Sequence, residues 1–162
     1  MSKTMRAISV MHPWAWLIAQ ELKPVETREW EIPGPNFSRA RGAIGERLAL
    51  HASKNLDRGG LEFLRRLGVR QLDGARFEAG VIATFELLDA REMRAEDAIG
   101  AVSLQLEPWA RAYLARNYQV DGKTALVVGA VRRLARVVPC NGALGFWWLP
   151  TDVHRMVVDL GG

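Results

Sequence analysis

The chain reads as an α+β domain: a small mixed or antiparallel β-barrel with short helices covering its ends. Three observations predict this. Strands outnumber the helices that could serve as parallel crossovers, which argues against a doubly wound sheet. The chain has 162 residues, the size of one domain, and we take 1–162 as a single unit; at this size roughly 70% of the surface is buried without staples. Apolar residues make up 49% and charged residues 25%, a globular mixture rather than a disordered one. No internal repeat, low-complexity stretch or long linker divides the sequence.

The elements follow from periodicity and punctuation. Arg6–Met11 is a first strand, with Ile8 and Val10 on one face. Pro13 opens a helix that runs to about Leu22 and is ended by Pro24. Val25–Ile32 is a second strand. Pro33-Gly34-Pro35-Asn36 stops it, and an Arg- and Gly-rich loop continues to Gly45. Arg47–Ala52 is a strand in which Leu48 and Leu50 alternate with Arg47, Ala49 and His51. Asp57–Leu67 is an amphipathic helix, with Leu61, Leu64 and Leu67 on one side. Gly80–Leu88 is a strong strand. Glu92–Ile99 and Glu107–Tyr118 are expected to be helical, the second with Trp109, Ala112 and Tyr113 turned inward. Thr124–Val138 is the longest strand, Pro139–Gly142 a turn, and Thr151 the cap of a last helix over Asp152–Val158.

Bulk chemistry excludes some classes. Lys and Arg total 22 against 18 Asp and Glu, a net charge of +4. Arg predominates, which suits phosphate because its planar fork donates two parallel hydrogen bonds; an Arg-favouring codon bias accounts for the same excess. The lone cysteine, Cys140, cannot form an internal disulfide, and the N-terminus lacks the apolar core of a signal peptide, so a reducing cytoplasm is expected. No apolar stretch approaches the ~20 residues that cross a bilayer, so no membrane is expected. The three histidines and the cysteine show no metal-ligand spacing. Six tryptophans are present, some for the core and others available to stack on bases.

The chemistry concentrates in two stretches. Glu26 and Arg28 are two apart on a strand and share a face; Lys23, just before the strand, can lean over the same face. A carboxylate between two cations stays ionised, and the spare positive charge attracts an anion. The alternative is a plain Glu–Arg pair on a solvated face. The second stretch is His51 to Lys54.

Ile8-Ser9-Val10-Met11-His12-Pro13-Trp14-Ala15, then Lys23-Pro24-Val25-Glu26-Thr27-Arg28, then Leu48-Ala49-Leu50-His51-Ala52-Ser53-Lys54 resemble the ASCH family. Its signature, Gly-x-Lys-x-x-Glu-x-Arg, is met at Lys23, Glu26 and Arg28, while Glu21 stands where the glycine is expected. The closing run Gly142-Ala143-Leu144-Gly145-Phe146-Trp147 is also similar. The resemblance implies a PUA-like mixed β-barrel with a cleft between the barrel and its N-terminal helix, for single-stranded RNA or a modified nucleoside or nucleotide. It implies that Lys23, Glu26 and Arg28 line that cleft with Trp14, and that His51, Ser53 and Lys54 join them from the next strand.

On this reading Lys23, Glu26 and Lys54 are the catalytic candidates. The lysines would hold phosphate or an oxyanion, and Glu26 would act as general base or read a base edge. Trp14, Arg28, His51, Ser53 and Trp147 are the ligand-binding candidates. Ser53 becomes a nucleophile only with a base beside it, a role open to His51. The leading expectation is an RNA- or nucleotide-binding domain, with hydrolysis of single-stranded RNA through a basic cleft as its enzymatic form; Mg²⁺ or Mn²⁺ would be needed only for such a nuclease. The alternatives are an amidohydrolase acting on N4-acylated cytidine and a non-catalytic RNA-binding or protein-interaction module.

Overall fold

A computed structural model describes residues 3–94, 97, 107–110, 112 and 124–162. The strands are β1 (Arg6–His12), β2 (Val25–Arg28), β3 (Arg47–Leu56), β4 (Gly80–Glu92), β5 (Thr124–Val138) and β6 (Phe146–Trp148). The helices are α1 (Trp14–Ala19), α2 (Pro35–Gly42), α3 (Arg58–Arg66) and α4 (Thr151–Asp159), with a 3-10 turn at Arg70–Leu72. The strands form one sheet in the order β2-β5-β4-β3-β1-β6. Among the described residues only the β1–β3 pair is parallel; β2–β5, β5–β4, β4–β3 and β1–β6 are antiparallel.

The sheet curls into a half-barrel whose two edges are joined by side chains. Arg28 of β2 donates from Nη2 to the Ser9 carbonyl of β1 at 2.6 Å. Trp30, just past β2, meets Phe146 of β6 edge-on at 5.6 Å between ring centres. The concave face carries the main core: Ile8 and Val10, Leu48, Leu50 and Ala52, Ala83, Phe85 and Leu87, Leu126 and Val128, with Ile18 of α1. The convex face has its own core, in which Ala7, Ala49, Val81 and Val138 pack under Leu149, Val153 and Val157 around α4. A third cluster joins Leu17 of α1 to Leu61 and Leu64 of α3. The period of two thus sends Ile8, Val10, Leu48 and Leu50 inward, and Ser9 and His51 to the opposite face.

Several elements differ from their sequence-based expectation, each for a local reason. α1 stops at Ala19 rather than near Leu22. Its end is a Schellman turn: Leu22 N–H reaches the Leu17 carbonyl at 2.9 Å and Glu21 N–H the Ile18 carbonyl at 3.0 Å, with Glu21 at φ 60°. That left-handed position favours glycine, which is the residue of the ASCH signature here. Glu21→Gly should therefore raise stability by about 1 kcal/mol, the strain of a left-handed L-residue less the extra freedom glycine gives the unfolded chain. An upward shift in the urea midpoint at unchanged m-value is the check, and no shift would count against this reading.

β2 ends at Arg28 rather than Ile32, because its ladder finishes at the Arg28–Thr124 pair and the Trp30 carbonyl accepts the Thr124 hydroxyl instead. The Arg-rich segment after it is not all loop: Pro35, at the first turn, starts α2, which buries only Ala40 and so has no apolar stripe to betray it. β3 and β4 run four residues past their expected ends, to Leu56 and Glu92. Asp57 caps α3, accepting from Gly60 N–H. Thr151 begins α4 but does not cap it, since Pro150 occupies the cap position without a side-chain bond.

The helix expected over Glu92–Ile99 loses its first residue to β4; beyond Met93, Arg94 and Asp97 it lies outside the described residues, as does Tyr113. In the next expected helix, Trp109 is 57% exposed and Ala110 is buried, while Ala112 is exposed, so Ala110 rather than Trp109 or Ala112 faces the core. Among the described residues no helix is long and apolar enough to cross a membrane.

Candidate functional site

The candidate residues gather into two groups on opposite sides of the β1–β3 ladder, and Ser9 belongs to both. On the concave side lie Lys23, Glu26, Arg28 and Trp14. Glu26 pairs with Leu126 and so points with it toward the core. Lys23 is 4% exposed and Glu26 8%. The Lys23 ammonium donates to Glu26 Oε1 at 2.7 Å and to the Val25 carbonyl at 2.9 Å. Arg28 reaches Glu26 Oε2 at 3.4 Å, and the Thr27 N–H reaches Oε1 at 3.1 Å. Burial alone would push the Glu26 carboxyl up. The charges of Lys23 and Arg28 and the two hydrogen bonds to Oε1 outweigh it and hold Glu26 below its ordinary value.

Trp14 covers this group. Its ring lies 5.8 Å from the Lys23 ammonium, and its Nε1–H donates to Asp57 Oδ2 at 2.8 Å. Asp57 therefore caps α3 and anchors Trp14 at once. Lys23 and Glu26 are spent on each other inside the fold, and among the described residues the buried Arg28 Nε has no hydrogen-bond partner.

On the convex side an open cleft of about 480 Å³ is lined by Ser9, His51, Ser53 and Lys54 from β1 and β3 and by the loop Cys140–Leu144. His51 forms its floor, 3% exposed. Its Nε2 lies 2.9 Å from the Cys140 carbonyl, and its Nδ1 lies 3.0 Å from Ser9 Oγ. A carbonyl only accepts, so Nε2 carries the hydrogen, and in the neutral ring Nδ1 is left to accept the Ser9 hydroxyl. Trp147 Nε1–H in turn donates to Ser9 Oγ at 3.2 Å, and its ring braces His51 edge-on at 5.4 Å. The result is a directed chain of donors from Trp147 through Ser9 and His51 to the Cys140 main chain.

Gly142 lies directly over the pair, where a side chain would collide with both Ser9 and His51. Lys54 stands exposed at the rim, and Ser53 is half-exposed beside it, its hydroxyl 3.5 Å from the Asn55 carbonyl. Burial, and then the nearby Asp152 carboxylate, push the Cys140 thiol up, which disfavours the thiolate.

The structure thus brings His51, Ser53 and Lys54 together in the cleft, with Trp147 behind them, and gathers Trp14, Lys23, Glu26 and Arg28 beneath α1. It does not place the two sets in one cleft. The hydroxyl beside His51 is that of Ser9, not Ser53. Sequence reasoning passed over Ser9, although the alternation that turns Ile8 and Val10 inward turns Ser9 to the face of His51. Among the described residues no three His, Cys, Asp or Glu side chains converge as metal ligands.

Solved structures share this architecture. An ASCH protein from Zymomonas mobilis superposes with a TM-score of 0.54 at 16% identity, over 98% of this chain and 96% of that one. Two single-substitution variants of the Zymomonas mobilis protein give a TM-score of 0.53 at 16% and 17% identity. At that identity the likeness is one of fold: the half-barrel is that of ASCH, PUA-like domains. No family model and no curated protein matches the chain.

Proposed function

We propose that this ASCH-fold domain binds single-stranded RNA or a nucleotide-like ligand in the cleft between the β1–β3 ladder and the Cys140–Leu144 loop. The observation that carries the reading is the cleft's make-up: an exposed ammonium, Lys54, at the rim of a concavity floored by His51 and walled by Ser9, Ser53, Asn141 and apolar Ala143 and Leu144. Its volume suits a nucleoside-sized group, and a few polar groups within an apolar wall are the usual composition of a ligand site. Lys54 supports the phosphate contact, and the loop amides and Asn141 offer hydrogen-bonding edges to a base. Lys23 and Glu26 contribute here by holding the barrel wall, since their charges already neutralise one another.

The test is filter retention of a labelled single-stranded RNA across a salt series, for the wild type and Lys54→Ala. Retention should fall as salt rises, and Lys54→Ala should weaken it about tenfold, the loss of one charged hydrogen bond, and flatten the salt slope by about 0.7. Binding indifferent to salt and to Lys54 would overturn the reading. Incubating the same RNA with Mg²⁺ or Mn²⁺ and with chelator, beside N4-acylated cytidine, reads out the two hydrolytic forms of the proposal.

A further inference from the structure

We infer that Ser9 is a nucleophile, with His51 as its general base, and that the cleft hydrolyses short acyl esters of a nucleoside-sized alcohol. The inference uses the same cleft as the binding proposal but does not depend on RNA. Its basis is the connected geometry of four groups from four parts of the chain.

A serine hydroxyl is unreactive until a base takes its proton. Here the Ser9 hydroxyl donates to His51 Nδ1 at 3.0 Å, within the range a general base requires. The base is itself oriented by a third group, because His51 Nε2–H is held on the Cys140 carbonyl at 2.9 Å. That bond sets the tautomer and leaves Nδ1 facing the hydroxyl to receive its proton. Nucleophile, base and orienting acceptor are the parts by which such a site is recognised, whatever their order in the sequence. Trp147 Nε1–H donates to Ser9 Oγ at 3.2 Å and so fixes where the hydroxyl oxygen sits. His51 is buried, while the half-exposed Ser9 lines the cleft.

The step balances without any co-reactant but water. Ser9 Oγ bonds to the ester carbonyl carbon as its proton passes to His51 Nδ1. The carbon–oxygen bond to the leaving alcohol breaks, and His51 returns the proton to that alcohol. Water then adds to the acyl-serine, again losing its proton to His51, and the carboxylic acid departs as Ser9 regains its hydrogen. Ala143 and Leu144 supply an apolar wall for a short acyl chain.

The experiment treats the folded protein with a fluorophosphonate probe and with p-nitrophenyl acetate, without RNA. The expected results are a single adduct that peptide mapping places on Ser9, and a burst of p-nitrophenol of one per chain. Ser9→Ala should abolish both. His51→Gln, checked for folding by circular dichroism, should slow labelling at least a hundredfold. An unlabelled Ser9 in the wild-type protein, or a burst that survives in Ser9→Ala, would overturn the inference. RNA retention without acylation would sink this proposal and leave the binding reading standing; acylation without RNA retention would do the reverse.

Discussion

Glu26→Gln should cost the folded protein about 3–5 kcal/mol, because it strands two cations around a neutral amide in a place with little water. Lys23 is 4% exposed, and its 2.7 Å bond to Glu26 is the contact that neutralises it. Arg28 would lose the same partner while still tied to the Ser9 carbonyl. The substitution keeps shape, so the loss reads charge rather than packing. Urea denaturation at neutral pH would show it as a lowered midpoint at unchanged slope. A change below about 1 kcal/mol would mean that the cluster is solvated, not buried.

The same pair makes acid stability informative. The folded state holds the Glu26 carboxyl below its ordinary value of 4.5. Its contribution is therefore complete above that pH and is lost as the pH falls through the lower, folded-state value. Wild type and Glu26→Gln should differ most at neutral pH and converge in acid. Adding Lys23→Met to Glu26→Gln should recover part of the loss, since only the half-buried Arg28 then lacks a counter-charge.

Gly142→Ala should cost about 1–3 kcal/mol by overpacking and slow Ser9 labelling on the order of a hundredfold, the penalty of misplacing reacting groups by about 1 Å. A methyl at this position would lie 2.5 Å from Ser9 Oγ, 2.6 Å from His51 Cε1 and 2.8 Å from His51 Nδ1. His51 is held by the Cys140 carbonyl and braced by Trp147, and Ser9 Oγ can withdraw only by rotating off His51 Nδ1. Otherwise the loop moves, carrying Cys140 away from Nε2; either response breaks the Ser9–His51–Cys140 chain. Labelling kinetics and urea denaturation of Gly142→Ala check both effects. A variant of wild-type stability and rate would show that the loop yields without disturbing the pair.

The part of the fold legible in the sequence was the part governed by period and punctuation. Leu48 and Leu50 turn inward as their alternation requires, and β5 has the predicted bounds, because a long apolar strand carries its own signal. Lys23, Glu26 and Arg28 meet as their spacing suggests, since three positions on one turn and strand need no tertiary information. The Ser9–His51 contact was hidden for the opposite reason. It depends on a parallel register between β1 and β3 with α1, β2 and α2 between them, and no local pattern encodes that pairing. The third partner, the Cys140 carbonyl, is main chain and has no residue type to recognise. Trp109 was misread because a helical stripe identifies a face but not its neighbours.

The placement of β1 between β3 and β6 has a further consequence, for the order of events during synthesis. Ser9 and its Trp147 partner are 138 positions apart, and at about 5–20 residues per second a ribosome needs roughly 7–28 s to travel between them. For that interval one flank of β1 has no strand beside it, an open template for pairing with another nascent chain. Lys3 and Arg6, whose cations later settle over Trp148, place like charges along that flank and discourage such pairing. The strand bearing the cleft's hydroxyl is thus made before both of its neighbours, β3 and β6, and enclosed only once the later of them is in place.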